Sequence, residues 1–196
     1  MLVGLTGRAQ HGKDTLGGIL VEEFGFKRYA FADQLKSMAL VLNPYVDSKY
    51  SQRLYTLVQD AGWDNAKLEP EVRRFLQVLG TEAVRDHLGA DAWINALEKK
   101  LDDDGLWDPQ GPAYGSRIVV TDVRFPNEAE WISKFGGVLW RLRRLNLDDT
   151  VFDNGLGDHP SEAHIDSLKA DTEIIARTVD ELHMWARQAG AAFERP

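Results

Sequence analysis

The strongest chemical signal in the chain is Gly7-Arg8-Ala9-Gln10-His11-Gly12-Lys13, directly behind the apolar run at residues 2–6. Two glycines five positions apart, with a lysine behind the second, have the spacing of a loop that wraps phosphate oxygens. Glycine lets the backbone come close. The N–H groups of the loop and of the following helix point at the anion, and Lys13 adds a point charge near the β- and γ-phosphates. Gly7, Arg8, His11, Gly12, Lys13, Asp14 and Thr15 are therefore the expected nucleotide-binding residues. One position departs from the usual pattern. A Ser or Thr that touches magnesium normally follows the lysine; here Asp14 follows it, and the hydroxyl arrives at Thr15. A carboxylate is a hard oxygen ligand, so Asp14 is expected at Mg2+, directly or through water. The plainer alternative is a charge favourably placed at a helix N-terminus.

A second group of residues suits a second substrate. Asp122 closes the run RIVVTD at 117–122, and Arg124 stands two residues further on. A carboxylate at a strand end can hold magnesium or orient an attacking oxygen, and Asp-x-Arg can place an acceptor and a cation in one cleft. Glu128 falls on the first turn of the next helix, where the dipole favours an acid. The helix predicted over 70–88 puts Val72, Phe75, Leu76, Leu79 and Ala83 in one sector, at about 100° per residue. Arg73, Arg74, Gln77 and Thr81 share the opposite sector. An arginine fork suits a phosphate; a solvated face is the alternative for Arg73. Gly80 in mid-helix is costly unless something packs on its backbone, and a planar base or a sugar would explain it. Trp93 reads as core on composition. Arg141, Arg143 and Arg144 precede a long polar loop; they either clamp phosphates or line a solvated strand edge. His159 and Glu162 lack an evident third ligand and read as loop anchors rather than a metal pair.

Alternating elements position these groups. Residues 2–6 read as a buried strand and 13–24 as a helix with Leu16, Ile19, Leu20 and Phe24 on one face. Gly17 and Gly18 weaken that helix by roughly 1 kcal/mol each relative to alanine. A second strand is predicted over 26–32 and a helix over 33–42, then helices over 70–88 and 91–101. Residues 102–115 read as a loop, 117–122 as a strand, about 127–135 as a helix closed by Gly136-Gly137, and 138–142 as a strand. Residues 146–160 form a long polar loop, 172–176 a last strand, and Thr178 with Glu181 a capping box for the final helix. Strand–helix alternation predicts a three-layer α/β fold with a mainly parallel sheet, in which ligands bind beyond the carboxyl ends of the strands. One domain is expected over 1–196, with a candidate lid at about 144–165.

Composition narrows the classes. The 196 residues suffice for one sizeable core. There is no cysteine, hence no disulfide framework and no thiolate metal site. No apolar run approaches the ~20 residues that span a membrane, and the start of the chain lacks a secretory pattern; a cytoplasmic protein is expected. The net charge of −8 argues against bulk nucleic-acid binding, which needs a basic footprint.

Four segments together resemble one family. GRAQHGKDT at 7–15, RRFLQVLGTEAVRDHLGADAW at 73–93, VVTDVRFPNEA at 119–129 and DHPSEA at 158–163 are similar to segments of the deoxynucleoside monophosphate kinases of bacteriophages, in order over residues 2 to about 182. The RR-x-x-Q-x-LGT…W and D-x-R-x-x-x-E patterns are more specific than the phosphate loop, and some members of the family carry Gly-Lys-Asp-Thr in that loop. The resemblance implies a P-loop kinase fold with a lid, and transfer of the ATP γ-phosphate to a deoxynucleoside monophosphate with Mg2+, in the host cytoplasm for a phage-encoded enzyme. It implies that Lys13 is the phosphate-loop lysine, and that Lys36, Arg74, Gly80, Thr81, Trp93, Asp122, Arg124 and Glu128 bind the monophosphate. Arg144 matches an arginine at the start of the lid. A homodimer is what the family suggests. Residues 43–69 are short against the family, so the base accepted is not read from it.

Three other classes compete. A GTPase switch needs a guanine-reading Asn-Lys-x-Asp-like stretch, and none is seen. A DNA-associated ATPase is opposed by the charge. Another small-molecule kinase, of dephospho-coenzyme A or phosphomevalonate, would share the loop but not the LGT…W segment.

Overall fold

The computed structural model describes residues 1–47, 52–153 and 164–193. The candidate lid at about 144–165 is thus described only at its two roots, and His159 and Glu162 lie outside the described residues. The chain divides into two compact units, Met1–Ala30 with Glu98–Pro196, and Phe31–Leu97.

In chain order the first unit opens with β1 (Leu2–Thr6), α1 (Lys13–Phe24) and β2 (Lys27–Tyr29). The second unit follows with α2 (Phe31–Leu42), β3 (Tyr45–Asp47), β4 (Gln52–Arg53), α3 (Leu54–Ala66), α4 (Pro70–Gln77), a π-helical stretch (Val78–Arg85) and α5 (Asp86–Leu88). The boundary falls within α6 (Ala92–Asp103), and the first unit continues with β5 (Trp107–Asp108), β6 (Gly111–Pro112), β7 (Ile118–Val120), α7 (Pro126–Lys134), β8 (Val138–Arg144), β9 (Thr172–Ala176) and α8 (Val179–Phe193).

The first unit is built on a parallel five-stranded sheet in the order β2-β7-β1-β8-β9. β1 is central and is buried at every position. Side chains alternate across a strand, so Val3 and Leu5 face one way and Gly4 the other. Val3 and Leu5 pack with Leu16, Ile19 and Leu20 of α1 and with Leu182 and Ala186 of α8. On the opposite face a Cβ at Gly4 would stand 3.0 Å from Ile132 of α7. The result is the expected three-layer arrangement, with α1 and α8 on one face and α7 on the other. Each fully buried large aliphatic side chain contributes roughly 1.5–3 kcal/mol here.

Several boundaries differ from the sequence reading. The strand expected over 26–32 ends at Tyr29, and α2 already starts at Phe31. β2 is an edge strand whose only ladder, with β7, runs out at Tyr29↔Val120, so longer pairing has no template. Residues 102–115 are not all loop: α6 runs on to Asp103, and β5 and β6 form a short antiparallel hairpin. Trp107 of that hairpin stacks on Trp131, with ring centroids 5.0 Å apart. The helix over 70–88 is continuous but widens into the π turn at Val78. Ala83, expected on the apolar face, is exposed, and Val84 is buried in its place. A π turn repeats at five residues rather than four, so Leu79 and Val84 share the buried side. Among the described residues no helix is long and apolar enough to cross a membrane.

Candidate active site

The glycine loop runs from the end of β1 to the start of α1 in a shape that only glycine allows at both ends. Gly7 has φ +146°, and a Cβ there would stand 2.5 Å from the Leu142 carbonyl oxygen of β8. Gly12 has φ +94° and is the N-cap of α1, with no side-chain cap on the first turn of that helix. The N-terminus of α1, with the positive end of its dipole, thus faces the loop uncapped by a side chain, as suits an anion. Lys13 Nζ donates to the carbonyl oxygens of Gly7 at 2.6 Å and Arg8 at 2.8 Å, which folds its ammonium back over the loop. The cradle that a Cβ would fill and the lysine at its rim fit a nucleoside triphosphate.

Two other loop side chains reach the chain on either side of the long polar segment. Arg8 pairs with Asp166 at 2.7 Å, and the guanidinium holds that carboxyl below its usual range. His11 is buried; its Nε2 lies 3.2 Å from the Phe152 carbonyl oxygen, and its Nδ1 lies 3.4 Å from the Arg144 backbone N–H. Burial pushes the His11 pKa down. Asp14 lies in the first turn of α1 with its side chain 84% exposed, 3.8 Å from Arg28, and Thr15 is exposed beside it. Among the described residues no group of three His, Asp or Glu side chains could cage a metal. Mg2+ keeps several waters and takes one or two carboxylates together with substrate phosphates, and an exposed carboxylate such as Asp14 fits that chemistry.

The turn after β7 lies beside the loop. The Val123 N–H donates to the Leu5 carbonyl oxygen at 3.1 Å, which keeps Asp122 alongside the carboxyl end of β1. Asp122 and Arg124 are half-buried. Glu128 is buried, and its Oε2 accepts from the backbone N–H of Arg124 at 2.8 Å and of Phe125 at 3.1 Å. Its carboxylate therefore fixes the Asp122-x-Arg124 turn from below. The hydroxyls of Thr6 and Thr121, at the ends of these strands, are buried with no hydrogen-bond partner among the described residues. Buried polar atoms of this kind ordinarily find water or a ligand.

In the second unit, Arg74 is exposed on α4 and held by Glu71 at 2.9 Å. Lys36 is 3.6 Å from Asp33, with its ammonium 6.0 Å from the centre of the Trp63 ring. Thr81 is exposed on the π turn. The Leu35 side chain of α2 packs on Gly80, 3.0 Å from where a Cβ would stand. Trp93 is buried, and its Nε1 donates to the Gly80 carbonyl oxygen at 2.9 Å. The three arginines of β8 part company. Arg141 donates to the carbonyl oxygens of Ile165 and Leu168 and so fastens that segment. Arg143 lies 3.6 Å from Glu173 of β9. Arg144 is exposed, with its guanidinium carbon 4.2 Å above the Phe152 ring. Phe152 and Asp166 were not picked out from the sequence; the signal available for Phe152 is a lone aromatic inside a polar run.

Over its full length the chain superposes on the crystal structure of TT1252 from Thermus thermophilus, with a TM-score of 0.53 at 14% identity and 98% of that chain covered. A parallel sheet carrying a Gly-x-x-x-x-Gly-Lys loop between its central strand and a helix is the core of a P-loop kinase, and that is the class of this protein. A protein of Acanthamoeba polyphaga mimivirus, provisionally named a deoxynucleotide monophosphate kinase, is 30% identical over 192 residues, which is 93% of this chain and 92% of that one. The deoxynucleoside-5′-monophosphate kinase of Escherichia phage T5 is 28% identical over 142 residues, covering 67% of this chain and 50% of that enzyme. The chain belongs to the deoxynucleoside monophosphate kinase family. No protein-family model matches it.

Proposed function

We propose that the protein transfers the γ-phosphoryl group of ATP to a deoxynucleoside monophosphate, giving the deoxynucleoside diphosphate and ADP. The observation that carries this reading is the glycine cradle with Lys13 at its rim, in a chain whose relatives are named for this reaction. An oxygen of the acceptor phosphate bonds to the γ-phosphorus as the bond from that phosphorus to the bridging oxygen breaks.

The chain's own residues bind and orient. Gly7, Arg8, Gly12, Lys13 and Thr15 receive the triphosphate, and Lys13 exchanges the Gly7 and Arg8 carbonyls for phosphate oxygens. Asp14, with Asp122, would hold Mg2+, which when bound would supply charge neutralisation to the phosphates. Asp122 orients the acceptor oxygen. Arg124 binds the acceptor phosphate, and Glu128 acts through the two backbone N–H groups that it fixes. Lys36, Arg74, Gly80, Thr81 and Trp93 form the remaining acceptor set. Arg144 offsets charge on the transferring group, as arginines do in phosphoryl transfer. A lid at about 144–165, in one kinase domain over 1–196, would exclude water that otherwise competes as acceptor. The same reading has the enzyme act in the cytoplasm as a homodimer, without nucleic acid; the net charge of −8 supports the last point.

ADP release measured with ATP, Mg2+ and each common deoxy- and ribonucleoside monophosphate in turn tests the proposal. Turnover that requires a deoxynucleoside monophosphate is expected. Turnover stimulated by DNA and indifferent to every monophosphate would replace this reading with a DNA-associated ATPase.

A further inference from the structure

His11 sits in the middle of the phosphate loop, yet each of its ring nitrogens is placed against the chain that follows β8. A backbone N–H can only donate, so the Arg144 N–H 3.4 Å from Nδ1 requires a lone pair there. A carbonyl oxygen can only accept, so the Phe152 oxygen 3.2 Å from Nε2 requires the proton there. Only the neutral ring protonated at Nε2 satisfies both. The two residues that it joins are themselves a pair. Phe152 N–H donates to the Arg144 carbonyl oxygen at 3.0 Å, and Leu145 and Val151 bridge between them. The Phe152 ring meets the imidazole edge-on, with centroids 6.2 Å apart, and carries the Arg144 guanidinium on its face at 4.2 Å.

We infer that His11, as the Nε2–H tautomer, is a positioning residue that locks the Arg144–Phe152 pair to the phosphate loop and so aims the Arg144 guanidinium. The loop and the arginine then move as one piece when phosphate binds. The charged groups that face the ring are Lys13 and Arg8 of the loop, and the Leu142 carbonyl oxygen of β8 lies against it as well as that of Phe152. Burial and these two cations oppose a charged ring and outweigh the two carbonyl oxygens that would favour it, and protonation at Nδ1 would also remove the acceptor for the Arg144 N–H. The role of His11 in turnover rests on the reading of Arg144 as a phosphate ligand; the locked tautomer does not.

Two measurements separate these. Nitrogen-15 spectra of the imidazoles in the unliganded wild-type protein, with His11 assigned through His11→Gln, should show His11 neutral and protonated at Nε2 at neutral pH. An Nδ1–H ring or an imidazolium overturns the proposal whatever the activity. In steady-state kinetics, His11→Asn keeps an acceptor in the place of Nδ1, and His11→Ala keeps neither group. A misplaced reacting group costs up to ~10²-fold, so His11→Ala should lower kcat by roughly 10- to 100-fold with the KM for ATP little changed, and His11→Asn should recover part of that loss. In an Arg144→Ala background, His11→Ala should cost nothing further, as expected when one residue acts through another. Multiplying losses would overturn the positioning role while leaving Arg144 as a phosphate ligand. An Arg144→Ala enzyme with unchanged kcat would remove Arg144 from the reaction and the kinetic half of this inference with it.

Discussion

The indole Nε1 of Trp93 donates to the carbonyl oxygen of Gly80 at 2.9 Å, in a buried contact across 13 positions of the chain. Gly80 lies in the π-helical stretch, where the wider turn disturbs the regular i to i+4 pairing. The tryptophan supplies a donor to a carbonyl in that stretch and so helps to keep Thr81 and Arg74 at their places along one helix. Trp93→Phe keeps most of the ring and removes the donor. A buried acceptor left unsatisfied costs about 1–3 kcal/mol, so Tm should fall by several degrees. The KM for the monophosphate should rise while the KM for ATP stays put. An unchanged melting curve would mean that the contact does not hold the turn.

Lys13 carries the donor side. Its ammonium rests on two loop carbonyls, and in the proposed reaction their exchange for phosphate oxygens would place charge where the transition state needs it. Lys13→Ala should cut kcat by ~10³-fold or more, in line with removal of a main electrostatic group. Most of the activity surviving would remove the loop from the chemistry.

Arg74 is a test of the acceptor side. Its guanidinium is oriented by Glu71 across one helical turn, and the pair is exposed, so it adds little to stability. Arg74→Lys replaces a forked donor with a point charge. Stability should hardly change and the KM for the monophosphate should rise. An effect confined to the KM for ATP would transfer the residue to the donor side.

Asp14 tests the departure in the loop. Its side chain is 84% exposed with Arg28 at 3.8 Å, so it is available to a hydrated cation. Asp14→Asn should raise the magnesium concentration needed for half-maximal rate, and Asp14→Ser should recover part of the loss. Superimposable magnesium titrations of the three proteins would leave Asp14 as a helix-end charge worth ~0.3–1 kcal/mol.

What was legible in the sequence had local causes. β1, α1 and β9 fall at the residues expected, because an apolar run, a glycine pair before a lysine and a five-residue stretch with three β-branched residues each decide the backbone within a few positions. Thr178 caps α8 as expected, with its hydroxyl accepting from the Glu181 N–H at 3.2 Å. What was not legible depends on distant partners. The π turn that exchanges Ala83 for Val84 is buried by tertiary packing, not by propensity. β5 and β6 hold two residues each, too few for a periodic signal, and Trp107 joins them to Trp131 of α7. At the site, residue types pointed to Lys13, Asp122 and Arg124. The carboxylate of Glu128 fixing two backbone N–H groups, and His11 meeting Arg144 and Phe152, come from chain crossings that spacing does not encode.

The central claim is phosphoryl transfer to a deoxynucleoside monophosphate, and the fate of the γ-phosphorus tests it most directly. ATP labelled at the γ-phosphorus is incubated with the protein, Mg2+ and a deoxynucleoside monophosphate, and the products are separated and counted. The account predicts label on the β-phosphorus of the deoxynucleoside diphosphate, formed in step with ADP and lost in Lys13→Ala. Label recovered only as inorganic phosphate, at a rate that no monophosphate alters, would contradict it.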